Sequence, residues 1–186
     1  ASDQQSQYFD QVLGSPLEVD CQFFGLLSFI EIAVSAEGMS EGGQLDSELL
    51  ESISVKIENL RTLVQGNLFN HDWKLKLVES EFAAIQMHFE VATHAYNKAV
   101  DAAGNSGNQM GVALCSELSG RFFLTYSLNR MSSIYLETAW SSYSLWGASL
   151  KLTELRASYS NIIDFEPAKT GVPSIASTEH SPTNVD

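Results

Sequence analysis

Glu90 and His94 stand four residues apart and so share a helix face, with His88 on the turn before; a nitrogen–carboxylate–nitrogen set of this kind is one that a divalent metal would use. The rest of the chain does not complete it. A di-iron carboxylate bundle needs Glu-x-x-His on two helices, and the motif is absent; a structural zinc site wants four ligands with thiolates favoured, and the only cysteines, Cys21 and Cys115, are far apart. His71, in His71-Asp72-Trp73-Lys74, suggests a second chemistry, that of an exposed helix-start histidine accepting phosphate on a phosphotransfer bundle. Trp73 stands where a small residue would leave room for the partner's aspartyl phosphate, which favours a histidine held by packing. Ser-His-Asp and Cys-His catalysis have no supporting arrangement, because neither cysteine lies at an electropositive helix start. Trp73, Trp140 and Trp146, with Tyr96, Tyr126, Tyr135 and Tyr143, could line a ligand groove but read better as core or as the interface between stacked helix pairs. Glu117 and Arg121, four apart, read as a surface ion pair. The residues therefore point to a chain that is not an enzyme and holds no cofactor or resident metal.

The elements that carry these residues are helices. With 186 residues and a hydrophobic fraction of 44%, the chain suits one domain able to bury roughly 70% of its unfolded surface. Its 23 acidic against 10 basic residues give a net charge of −13, which repels phosphate backbones and anionic lipid and leaves a protein as the expected partner. The longest apolar run, Phe23 to Ile30, is too short to span a bilayer, and Ala-Ser-Asp-Gln-Gln at the start lacks a signal-peptide pattern. With no Asn-x-Ser/Thr acceptor and both cysteines among apolar residues, buried reduced thiols and a cytoplasmic setting are expected.

Residues 1–14 read as a linker or the end of a preceding element. Ser15-Pro16-Leu17-Glu18 opens a helix to about Ala36 with Phe23, Phe24, Leu26, Leu27, Phe29 and Ile30 on its buried face. Asp46-Ser47 caps a second, carrying Ile53, Ile57, Leu60 and Val64 and ending at Gly66; a third starts near Asn70 or His71. A fourth places Val91, Ala92, Ala95, Tyr96, Ala99 and Ala103 inward, and helices at roughly 109–126, 129–146 and 149–159 follow. The helical domain is expected over 15–163, and 164–186, rich in Pro, Ser, Thr and Asn, as a disordered tail or linker.

A shift of forty positions lays Ser80 on Gly120, Ala83 on Phe123, Ala92 on Ser132, Tyr96 on Leu136 and Ala99 on Ala139. Small residues let antiparallel helices approach, and bulky ones, Trp140 and Trp146 included, fill the groove against the next pair. That is the logic of a tetratricopeptide-like solenoid, so the expected fold is all-α, six to seven helices in stacked antiparallel pairs.

Ala113-Leu-Cys-Ser-Glu-Leu-Ser-Gly-Arg-Phe-Phe-Leu124 and Tyr135-Leu-Glu-Thr-Ala-Trp through Trp146-Gly-Ala-Ser-Leu-Lys-Leu-Thr-Glu-Leu155 resemble the helical-repeat segment of hybrid sensor histidine kinases and related multidomain ATPase or kinase-like regulators. Asn59-Leu60, Phe69-Asn70-His71, Lys74, Leu77 and Glu79-Ser80-Glu81 extend the resemblance upstream, as does Cys21-Gln-Phe-Phe-Gly-Leu-Leu. It covers about residues 16–163. Asp72-Trp73 before Lys74, and Ser132-Ser133 in place of alanine, depart from the family's pattern. The chain has no Gly-x-x-x-x-Gly-Lys-Ser/Thr, no phosphoacceptor histidine motif and no glycine-rich ATP lid. The resemblance thus implies a non-catalytic scaffold from a two-component signalling system, which holds a protein partner or neighbouring domains; a small histidine phosphotransfer or metal-binding bundle is the alternative.

Overall fold

Helix-to-helix turns set the architecture. The computed structural model describes residues 16–36, 46–163 and 165. Over them run α1 (Pro16–Ala36), α2 (Ser47–Val64), a 3₁₀ turn (Gln65–Asn67), α3 (Leu68–Ile85), α4 (Phe89–Asn105), α5 (Gln109–Thr125), α6 (Asn129–Trp146) and α7 (Ser149–Tyr159), with no strand among the described residues. The fold is all-α. Between α3 and α7 each connection contains one residue in the left-handed region, Met87 (φ 59°), Gly107 (67°), Ser127 (58°) and Gly147 (84°). The next residue in each case donates its N–H to the carbonyl five positions back: His88 to Ala83, Asn108 to Ala103, Leu128 to Phe123 and Ala148 to Tyr143, all at 3.0 Å. This Schellman-type closure satisfies end carbonyls and folds the chain straight back, so the helices it joins run antiparallel. The same turn recurs every twenty residues.

Packing follows the same spacing. Helix α4 buries Ala92, Tyr96, Ala99 and Ala103, and α6 buries Ser132, Leu136, Ala139 and Tyr143, one stripe each, forty residues apart. Helices α3 and α5 are covered on more than one side. Buried His71, Trp73, Leu75, Leu77, Ser80 and Ala83 on α3 correspond to buried Gly111, Ala113, Cys115, Glu117, Gly120 and Phe123 on α5. One apolar cluster joins α1 through α5 and a second closes α5 on α6 and α7. Helix α1 contributes Val19, Phe23, Leu26, Ile30 and Ala33 at alternating spacings of four and three.

The α5–α6 contact is close enough to be tested by one methyl group. A Cβ on Gly120 would lie 2.6 Å from Leu136 Cγ and 2.8 Å from its Cδ2, beside the hydrogen bond that Ser132 Oγ donates to the Gly120 carbonyl at 2.9 Å. Gly25 on α1 has nothing within 4 Å. The same Gly→Ala change therefore has opposite signs: Gly25→Ala gains about 0.5–1 kcal/mol from helix propensity, whereas Gly120→Ala loses about 1–2 kcal/mol to overpacking. Urea denaturation followed by circular dichroism reads both.

Several expectations are corrected. Cys21 is exposed, not buried, and Phe24 is 43% exposed, because α1 carries more apolar surface than one stripe can cover. Val91 lies on the outer face of α4 and Trp146 at the end of α6 is 54% exposed, so neither fills an inter-helix groove; Trp140 is only half-buried. Helix α3 begins at Leu68, ahead of the expected start, and Gly66 lies within the 3₁₀ turn rather than at the end of α2. Phe165, assigned to the tail, packs its ring at a tilt against Trp140 with centroids 4.6 Å apart. Asp46 does cap α2, accepting from the Glu48 N–H at 3.3 Å. The Ser15 cap, the linker at 1–14 and the remainder of 164–186 lie outside the described residues.

Candidate functional site

Inner faces of α1, α3, α5 and α7 enclose a half-open groove of about 750 Å³, with Tyr96 the contribution of α4. The volume falls in the range of ligand and peptide sites. Leu27, Ile30, Leu114, Leu118 and Phe122 make its walls apolar, and Phe24, Val34 and Met87 carry apolar surface out to the rim. Five charged side chains face it: Glu31, Glu81, Glu117, Arg121 and Lys151.

Their pairing is uneven. Arg121 Nη2 meets Glu31 Oε1 at 2.9 Å, linking α5 to α1. Lys151 Nζ lies 3.0 Å from both Glu117 Oε1 and Glu154 Oε2, and the other Glu117 oxygen accepts from Tyr143 Oη at 2.7 Å. Glu81 receives its hydrogen bond from a neutral group, Tyr96 Oη at 2.7 Å. Burial pushes the Glu81 carboxyl up to about 7, with Glu31 adding to the rise, while the Tyr96 hydrogen bond and the Arg121 charge pull the other way. Burial and then the Glu81 charge raise the Tyr96 phenol well above its ordinary value, and the same two causes raise the Cys115 thiol. A thiol so placed is no nucleophile at neutral pH. What the groove can do is bind: apolar walls, two internally neutralised cations, and one carboxyl that changes charge near neutrality.

His71, His88, Glu90 and His94, singled out from sequence, lie elsewhere. His71 is 8% exposed, in the first turn of α3. Its Nδ1 lies 3.1 Å from Lys74 Nζ, and Lys74 also binds Asp20 of α1. The ammonium donates to Nδ1, so the imidazole is neutral with its proton on Nε2. Burial first, then Lys74, lowers its pKa against the opposing pull of Asp20. His71 is thus packed at the start of α3 with Lys74 on its Nδ1, the reading that its sequence context favours over an exposed phosphoacceptor. His88, Glu90 and His94 are all exposed, and no three His, Cys, Asp or Glu among the described residues are placed to hold a metal ion. Glu117 and Arg121 do not pair with each other but with α7 and α1 respectively. Of the aromatic set, Tyr96 and Tyr126 line the groove, whereas Trp73 and Tyr143 are core.

Glu31, Glu81 and Lys151 were not singled out by sequence reasoning. The shift of forty carried a signal for one of them, since it lays Glu81 on Arg121, the same position on α3 and α5. Comparison with protein-family models, curated proteins and solved structures finds no match for this chain.

Proposed function

We propose that this chain is a non-catalytic, tetratricopeptide-like helical scaffold that binds an amphipathic segment of a partner protein, or of a neighbouring domain, in the groove between its odd-numbered helices. The observation that carries the reading is the origin of the groove walls. They come from α1, α3, α5 and α7, the alternate helices of a chain whose turns recur every twenty residues from α3 to α7, which is how stacked hairpins divide into an inner, ligand-facing row and an outer, bracing row. The resemblance to the helical segment of hybrid sensor histidine kinases supports a role for such a scaffold in cytoplasmic signal transduction. The apolar walls with charged side chains among them suit an amphipathic protein segment, the occupant we assign. The net charge of −13 favours one that is basic on its outer face, through complementarity and faster encounter.

Isothermal titration of the whole chain with a basic amphipathic helical peptide tests this. Phe24→Ser, at the apolar rim, is expected to weaken binding about tenfold, and Leu145→Ser, equally surface-placed but outside the groove, to leave it unchanged. A peptide that binds both variants alike, or does not bind the wild-type chain, removes the proposal.

A further inference from the structure

We infer that Glu81 is the specificity residue of the groove, selecting segments that present a lysine or arginine on their apolar face, and that seating this cation takes a proton off Glu81. The inference rests on the scaffold reading above and adds what the groove requires of its occupant. The argument is one of charge complementarity at named positions. Arg121 is bound to Glu31, and Lys151 to Glu117 and Glu154, so the groove's own cations are neutralised in place. Glu81 is the one groove carboxylate without a salt bridge among the described residues: its hydrogen bond comes from neutral Tyr96, and Arg121 reaches it only through space. An acid in an apolar concavity without a cationic partner is costly to ionise. An ammonium or guanidinium delivered by a ligand supplies that partner, and the apolar walls on either side accept the aliphatic stem that carries it.

The groups that face Glu81 leave it as the one that titrates near neutrality. Tyr96 on α4 and Cys115 on α5 are raised and stay neutral. Arg121 on α5 and Glu31 on α1 remain an ion pair. If only the ionised carboxyl accepts the cation, apparent affinity scales with the ionised fraction, which for a group titrating at about 7 rises about tenfold between pH 6 and pH 8. The pH dependence belongs to cationic occupants alone.

Two acetylated, amidated helical peptides of identical leucine stripe test this, one with a lysine at a single apolar-face position and one with norleucine there. Each is titrated into the whole wild-type chain and into Glu81→Gln at pH 6 and pH 8, with circular dichroism showing the variant folded. The lysine peptide is expected to bind the wild type about tenfold more tightly at pH 8 than at pH 6, with Glu81→Gln abolishing the difference, and the norleucine peptide to show no such dependence. Equal affinity of the two peptides at both pH values, or a pH dependence that survives Glu81→Gln, overturns the role of Glu81 while leaving the scaffold reading intact. Failure of both peptides to bind removes both. A mass that doubles with concentration in the absence of peptide would mean that a second copy fills the groove, and would likewise overturn the inference.

Discussion

Trp73→Ala will lower the unfolding free energy by about 4 kcal/mol, a large share of the stability that a domain of this size possesses. The indole is fully buried where three elements meet. Phe23 of α1 stands edge-on to it at 5.2 Å, and the Lys74 ammonium lies 5.5 Å from its centre. At the start of α5, a Cβ on Gly111 would come within 3.1 Å of the ring, which shows how closely the indole lies against that backbone. Truncation thus opens a cavity at the joint between α1 and the α3–α5 body, and no single neighbour can close it. Trp73→Phe separates packing from polarity. The indole Nε1 is buried without a hydrogen-bond partner, so phenylalanine gives up no hydrogen bond and relieves a desolvated N–H; its cost is expected to stay near 1–2 kcal/mol. Denaturant unfolding followed by tryptophan-independent far-ultraviolet circular dichroism measures both. A loss below 1 kcal/mol for the alanine variant would mean that α1 does not pack on α3 as described.

The centrality of Trp73 also explains which parts of the fold are legible in the sequence. Helices α2, α4 and α6 bury one stripe each, so spacings of three and four reveal their inner faces: Ile53, Ile57, Leu60 and Val64 on α2, and Ala92, Tyr96, Ala99 and Ala103 on α4. Helices α3 and α5 are covered on more than one side, and two overlapping stripes blur the period. They also bury what composition places outside, Lys74 at 5% and Glu117 at 8% exposure. A rule that pairs Glu117 with Arg121 because they are four apart treats the helix as isolated; here α7 and α1 supply better partners from either side. The packing of His71, which Trp73 beside it suggests, uses a partner that spacing does not show: Lys74 on its Nδ1 is held in turn by Asp20, fifty-one positions from His71 and on another helix. Cys21 went wrong in the opposite direction, because α1 is apolar nearly all round and only one of its faces meets α2 and α3. The groove is a juxtaposition of five helices, which spacing along one helix cannot show.

Glu81→Gln will stabilise the chain at pH 8 relative to wild type, and this advantage will shrink by about 2 kcal/mol as the pH falls to 5. The sign follows from the direction of the displacement. Burial raises the Glu81 carboxyl from 4.5 to about 7 in the folded chain, so the native state holds a proton that the unfolded state has released. Stability from this group is fully present below about 4.5 and is lost as the pH rises through about 7. The whole displacement corresponds to about 3 kcal/mol, and the groove's access to water reduces what is realised. Glutamine keeps the shape and the acceptor for Tyr96 Oη while removing the titration, so its own stability carries no term from position 81. Acidification also relieves the self-repulsion of a chain with a net charge of −13, but that relief is common to both proteins to within one charge and largely cancels in the difference. Tyr96→Phe provides the converse. The Tyr96 hydrogen bond holds the carboxyl down against burial, so its loss moves the midpoint of the wild-type transition to higher pH and deepens the loss of stability above it. Chemical denaturation at half-unit steps from pH 5 to pH 8 gives all three curves. A difference between wild type and Glu81→Gln that stays constant across that window would show that Glu81 ionises as a solvated carboxylate does, and the groove would then have no need of a cation to neutralise it.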